Sequence, residues 1–457
     1  MGYSNARTKV RAYLRSKDNS KNLRSKDNGK ISEAKTMATA STVSEAISNA
    51  TPAGPGPAAP AALLVSLSPL SSDALEGMLA NLALAFPDQT VDVATPDSAL
   101  PALPASSQLR LTTYTPGLPA PGGWVLTAAD FVNTFKLLQE RKSAACLLLG
   151  PEAQSLSPEA LHALAASALG GADLTLPHYL LGPRDGLVNS AILYPVTRAL
   201  FATRPRYPLA IDLAVTPRMA ERLATAAQKF TAAGQDAALL WPVAEAAAAG
   251  LSLAEVPAGP RSLPSPDAAD LNSLLAQVAG SFFADLDAKA SFWQRARLAY
   301  SPRAAVTSPA ATQAVTMPNA SGNPDVTGVQ AMLDSFRLAY TNLHEIWSLV
   351  LPPNSLLGLK KLSLMPPASF RMPDALWARI VYDFILAYRL RTINRGHLLG
   401  ALTPLYLAWV ASHLLLSTGT GTEALAPEKH IEALAAAFEA DKPYLVSRWR
   451  WPDRFNP

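Results

Sequence analysis

The sequence predicts an α/β protein built on a mostly parallel sheet, with a helical region C-terminal to it. Three observations predict this. From about residue 61, short apolar runs alternate with stretches whose apolar residues recur at helical spacing, the pattern of strands joined by crossover helices. In the second half strand candidates become few and long amphipathic stretches take over. The composition, 49% hydrophobic and 16% charged over 457 residues, suffices for a large core and for two or three domains.

Taken in order, residues 62–68 (ALLVSLS) read as a buried strand, residues 73–86 as an amphipathic helix and residues 90–94 as a second strand. Residues 109–114 (LRLTTY) give another strand, followed by a helix capped by Thr127 and by the strand ACLLL at residues 145–149. Ser157 and Pro158 then stand at the cap and first turn of a helix. A strand is expected over residues 172–180 and a helix over residues 189–201. Amphipathic stretches follow near residues 268–300, 326–351, 373–394 and 397–416. The Pro-, Ser- and Ala-rich residues 301–325 have neither period and read as a flexible loop. The expected division is a disordered basic tail (1–60), an α/β domain (61–262), a helical connection (263–300), the loop (301–325), a C-terminal helical region (326–440) and a tail (441–457).

Charge is segregated along the chain. Residues 1–36 hold ten Lys and Arg against three Asp and Glu, a net of +7, so a chain of net +4 carries −3 over the remainder. The nonapeptide LRSKDNSKN at residues 14–22 recurs as LRSKDNGKI at residues 23–31, with no apolar face. With no aromatics in this segment beyond Tyr3 and Tyr13, it is read as a solvated extension, and no nucleic-acid partner is expected. Cys146 is the one cysteine and no apolar leader follows the basic residues, which points to the cytoplasm. Residues 398–416 (LLGALTPLYLAWVASHLLL) carry no Asp, Glu, Lys or Arg, yet Pro404, His413 and the dense charge just before them favour a buried core helix over a membrane span.

Chemistry is sparse. SLSPLSSD at residues 66–73 lacks the glycines of a phosphate loop, and the six histidines show no metal-ligand spacing. His178, beyond Pro177 at a strand end, is a ligand or base position if it is not structural. The turn GPEAQ at residues 150–154 follows the strand ACLLL and would lie in the crevice where α/β proteins bind ligands.

Residues 177–216, PHYLLGPRDGLVNSAILYPVTRALFATRPRYPLAIDLAVT, resemble the signature region of the family-two glycosyltransferases that make glucosylglycerate, mannosylglycerate or their phosphorylated forms. The shared positions are Tyr179, Asp185, Gly186, Asn189, Tyr194, Pro195, Thr197, Arg198, Ala199, Leu200, Pro208 and Asp212. Residues 234–256, 267–283 and 377–412 are similar to later segments of that family in the same order. The resemblance implies a GT-A-like, Rossmann-type mostly parallel sheet with a C-terminal helical region. It implies Asp212 and Asp236 as the catalytic candidates, and Tyr179, Arg184, Asn189, Thr197 and Arg206 as substrate-binding ones. Asp212 is expected in a loop between two helices, orienting an acceptor hydroxyl, with Arg184 and Arg206 framing the cleft.

Members of that family hold a divalent ion through an Asp-x-Asp turn and a histidine, and the ion neutralises the departing nucleotide diphosphate. Here Gly150 and Glu152 align with the two aspartates and Ser262 stands nearest the histidine position. TPDSA at residues 95–99 replaces the donor turn, and Ala210 and Ile211 replace a glycine pair. The departures imply no cofactor, the ancestral magnesium or manganese site being lost, and a degenerate glycosyltransferase that acts as a binding or regulatory partner. The alternative is an active metal-independent sugar transferase of altered donor, with Arg184 or Arg206 replacing the metal's charge. Nucleotide sugar or a glycerate-like molecule is the implied ligand, and a second copy or an intact paralogous glycosyltransferase the implied protein partner.

Overall fold

The computed structural model describes residues 61–96, 103, 107–116, 123–263, 271–296, 326–418 and 426–451. The expected basic tail (1–60), most of the replaced donor turn and the loop at 301–325 lie outside the described residues. The described residues belong to one compact unit.

Seven strands, β1 (Leu63–Leu67), β2 (Val91–Thr95), β3 (Leu109–Thr113), β4 (Ala145–Leu149), β5 (Leu174–Leu180), β6 (Asp212–Val215) and β7 (Leu253–Pro260), form one sheet. Its order is β3-β2-β1-β4-β6-β5-β7, and every pairing is parallel except those of β6, which runs antiparallel to β4 and β5. The sheet is the mostly parallel α/β one expected, including the five strands read from the sequence. The central strands β1 and β4 are buried on both faces, and Ser66 is their one polar residue. Alternate residues enter opposite cores: Leu63, Val65 and Leu67 face one, Leu64 the other.

The helices that cover the sheet are α1 (Ser72–Ala85), α2 (Ala128–Arg141), α3 (Pro158–Leu169), α4 (Tyr194–Phe201), α5 (Pro217–Thr231) and α6 (Pro242–Ala249). Their starts follow from local chemistry. Ser71 and Ser157 accept hydrogen bonds from Ala74 N and Ala160 N at the first turns of α1 and α3. The Thr127 N–H donates to the Asp130 carboxylate at 2.8 Å, as in a capping box. The expected helix over residues 189–201 is two pieces, a π turn at Asn189–Leu193 running into α4.

The C-terminal region is helical: α7 (Leu271–Ala288), α8 (Ala290–Trp293), α9 (Val326–Asn342), α10 (His344–Val350), α11 (Pro353–Ser363), α12 (Asp374–Leu390), α13 (Arg395–Thr418) and α14 (Pro427–Arg450). One core joins it to the sheet domain: Leu209, Ile211, Leu239 and Trp241 pack in the same cluster as Phe282, Trp377 and Trp409. Among the described residues α13 is the one helix long and apolar enough to cross a membrane, and 83% of its apolar window is buried in the protein. α14 runs on to Arg450 through Pro443, so residues 441–450, expected as tail, are helix. Proline removes one hydrogen bond there, but Lys442 and Leu445 on either side are buried and hold the helix in place.

Candidate functional site

Strand direction assembles the site. A parallel strand presents its last residue to the carboxyl edge of the sheet, and an antiparallel one presents its first. Asp212 opens β6 opposite Leu149, the last residue of β4. Asp212 therefore sits in a strand and not in an inter-helical loop as the sequence suggested. β7 lies parallel to β5, with Pro260 opposite Leu180, and delivers Arg261 to the same edge. The turn of residues 150–155 follows β4, and Tyr179 stands one residue from the end of β5.

At the centre lies an ion pair with both side chains fully buried. Arg261 Nε donates to Asp212 Oδ2 at 2.8 Å and Nη2 to Oδ1 at 3.2 Å. The Tyr179 hydroxyl donates to Oδ2 at 2.7 Å and the Gly150 N–H to Oδ1 at 3.0 Å, so both oxygens of Asp212 are doubly engaged. Arg261 Nη2 also donates to the Pro151 carbonyl at 2.6 Å. Its Nη1 donates to the carbonyl of Glu152, to Ser155 Oγ at 3.0 Å and to the carbonyl of Ser262 at 2.7 Å. Every guanidinium N–H thus has an acceptor within the protein. Burial alone would lower the Arg261 pKa, but the Asp212 charge and hydrogen bonds hold it above its ordinary value. Burial, and then the Asp212 charge, drive the Tyr179 phenol well above its ordinary value.

The structure brings together Gly150, Glu152, Ser262, Tyr179 and Asp212, all singled out from the sequence, around a residue that was not. Glu152 has a left-handed backbone (φ 61°) and an exposed side chain that accepts from Gln154 Nε2 at 2.7 Å. Ser262 N donates to Ser155 Oγ at 3.2 Å, closing the ring. Gly150 is fixed by close approach: a Cβ there would lie 2.5 Å from the Ile211 carbonyl oxygen. Gly150→Ala is expected to cost about 1–3 kcal/mol through this overlap, read as a lower urea midpoint at unchanged slope.

The remaining candidates have other surroundings. Arg206 does not supply a cation here: it is 4% exposed, pairs with Glu428 of α14 at 3.1 Å, donates to Ser190 Oγ at 2.8 Å and lies over the Tyr194 and Tyr207 rings. Asn189 Oδ1 accepts from Leu209 N at 3.4 Å, and Thr197 is buried in α4. Arg184 is exposed on the turn before the π segment, beside Asp185, whose carboxylate accepts from Gly182 N at 3.2 Å. Asp236 lies against the start of α2, where its carbonyl accepts from Ala129 N at 3.1 Å. His178 pairs with Glu255 at 3.4 Å, and that hydrogen bond raises its pKa. Among the described residues no group of three His, Cys, Asp or Glu side chains could hold a metal ion.

Fold and site define an α/β protein with a seven-stranded, mostly parallel sheet and a helical C-terminal region, with a buried acid–base pair at the carboxyl edge. Among solved structures it is similar to glucosyl-3-phosphoglycerate synthase from Mycobacterium tuberculosis in complex with Mn2+, uridine diphosphate and glucosyl-3-phosphoglycerate, at 16% identity and a TM-score of 0.32, over 50% of this chain and 79% of that one. The same synthase with Mg2+ and uridine diphosphate gives 17% identity and a TM-score of 0.31 over the same shares. A structure described only as a mycobacterial protein gives 16% and 0.32, over 50% of this chain and 74% of that one. No protein-family profile matches the chain, and no curated protein matches it.

Proposed function

We propose that the chain is a glycosyltransferase-like protein, distantly related to enzymes that move a hexose from a nucleotide sugar to glycerate or phosphoglycerate, which has given up metal-dependent transfer and acts as a binding or regulatory partner. One observation carries the reading: the Arg261 guanidinium lies among the oxygens of the turn that would hold a metal. A divalent ion needs several free oxygen ligands. Here the carbonyls of Pro151 and Glu152 and the carboxylate of Asp212 accept from Arg261, Gly150 has no side chain to offer, and the Glu152 carboxylate faces Gln154. These residues do not fit a magnesium or manganese ion.

The same geometry argues against Asp212 as a base and Arg261 as a substitute for the metal. A general base must reach the proton it takes, whereas the Asp212 side chain is fully buried with four donors on it. A cation that stabilises a departing diphosphate must offer N–H groups to it, and those of Arg261 are all engaged. Arg261 is therefore a plug, a permanent charge that neutralises the old acidic site from within.

The test is incubation with a panel of nucleotide sugars and with glycerate or 3-phosphoglycerate, with and without Mn2+, alongside calorimetric titration of the ion. Neither sugar transfer nor micromolar Mn2+ binding is expected. A retained nucleotide-sugar pocket would appear as stabilisation, about 2.7 kcal/mol at a hundred times the dissociation constant. Manganese-dependent product formation that disappears in Glu152→Gln would overturn the reading.

A further inference from the structure

We propose that the buried imidazole pair His413–His430 is an acid-released latch that holds the last helix, α14, against α4. The two rings come from different helices, His413 from α13 and His430 from α14, and are 1% and 2% exposed. Their Nδ1 atoms are 2.7 Å apart. Trp409 lies nearly parallel to both, with centroids 5.1 Å from His413 and 6.0 Å from His430. On its other side His430 Nε2 is 3.0 Å from Asp374 Oδ1, at the start of α12. Three helices of the C-terminal region meet in one hydrogen-bonded chain.

Such a chain has a limited proton capacity. A bond between two Nδ1 atoms requires a proton on one and a lone pair on the other. With Asp374 accepting from His430 Nε2, the pair is intact when both rings are neutral. It is also intact when His430 alone is an imidazolium, donating to both neighbours. A second proton sets two N–H groups and two positive charges head-on, and the bond is lost. The charged groups that reach His413 are His430 on α14, Asp374 on α12, and Arg206 ahead of β6, itself paired with Glu428 of α14. Asp374 is the one anion among the first three, and His430 already engages it.

Burial, then the charges of His430 and Arg206, hold the His413 pKa down to about 4, against an ordinary 6.5. The released state binds the proton that the latched state refuses. The latch is therefore at full strength above pH 6.5 and weakens as pH falls toward 4.

The release would act on the surface of α4. α14 grips that helix through Glu432 with Arg198 and the Tyr194 hydroxyl (both 2.5 Å), through Glu439 with Arg198 Nε (2.8 Å), and through Lys442 Nζ donating to the Leu200 carbonyl (3.2 Å). Burial would raise the Glu432 pKa, but its bonds to Tyr194 and Arg198 hold it below the ordinary 4.5. That clamp thus survives to lower pH than the imidazole bond. Asp383 of α12 accepts from the Tyr444 hydroxyl at 2.6 Å and from Arg448 Nη1 at 3.2 Å on α14 and works the other way. Burial pushes its pKa up to about 7, so it favours the closed helix increasingly as pH falls from 7, and the histidine contribution is read as the difference between the parent and a His413 variant.

Hydrogen exchange on the full chain, corrected for intrinsic rates, tests this. The opening constant of amides in Pro427–Arg450, taken as the ratio of the parent to folded His413→Gln, is expected to rise about twentyfold from pH 7 to pH 5, as for uptake of one proton, while the same ratio for amides in α3 stays flat. Asp383 is common to both proteins and cancels in this ratio. If that variant does not fold, nitrogen-15 spectra of labelled imidazoles in the parent protein replace it: His413 is expected to remain neutral at pH 5. A parent-to-variant ratio that is flat over this range, or a His413 already charged at pH 6, would overturn the latch.

Discussion

Asp212→Asn is expected to lower the stability of the folded chain by about 3–5 kcal/mol, the usual cost of leaving one partner of a fully buried ion pair without the other. Shape is nearly conserved by this change, so the loss measures charge and hydrogen-bond polarity. Arg261 would be left as a desolvated cation, and one arm of the new amide would bring an NH2 against groups that already donate: the Gly150 N–H and Arg261 Nη2 on one side, the Tyr179 hydroxyl and Arg261 Nε on the other. Arg261→Met should cost a similar amount by stranding the carboxylate. The double variant should cost less than the sum of the two, because neither charge is then left buried without its partner. Urea unfolding of the four proteins closes the cycle. If Asp212→Asn leaves stability unchanged and instead abolishes a sugar transfer that the parent performs, the aspartate is catalytic and the plug reading is wrong.

Why the plug was not legible in the sequence follows from where its parts come from. Arg261 meets Asp212 and Glu152 across separations of 49 and 109 residues, through the antiparallel placement of β6. Both strands that create the juxtaposition are weak signals. β6 is four residues long and opens on a charge, and β7 contains Pro257, Gly259 and Pro260, tolerable because it is an edge strand. The strands with nearly continuous apolar runs, β1 and β4, were legible because burial on both faces imposes that pattern. Proximity in sequence pointed to Arg184 or Arg206 as a substitute cation, but Arg206 neutralises Glu428 of α14 instead. The motif of residues 189–201 is recognisable as a motif, yet its π turn and its contacts with α12 and α14 depend on partners far along the chain.

Those contacts give the motif a structural role. Trp377 on α12 is fully buried, stacks on Trp409 with centroids 6.4 Å apart, and donates its indole N–H to the Ala191 carbonyl at 2.8 Å. Ala191 lies in the π turn, where the i→i+5 pattern displaces carbonyls from ordinary helical partners. Trp377→Ala is expected to cost about 3–5 kcal/mol from lost burial and the cavity left behind, and it also strands a buried carbonyl. Trp377→Phe separates the two terms: it keeps most of the apolar contact and should cost about 1–3 kcal/mol for the unmet acceptor. Because Trp377 belongs to the core that also holds Leu209, Ile211 and Leu239 of the sheet domain, both variants should unfold in one transition at a lower urea midpoint. Intrinsic fluorescence and far-ultraviolet circular dichroism should trace the same curve. Two separated transitions, with the sheet outlasting the helices, would show instead that the π turn holds its shape without α12, and would return Asn189 and its neighbours to a role in ligand binding.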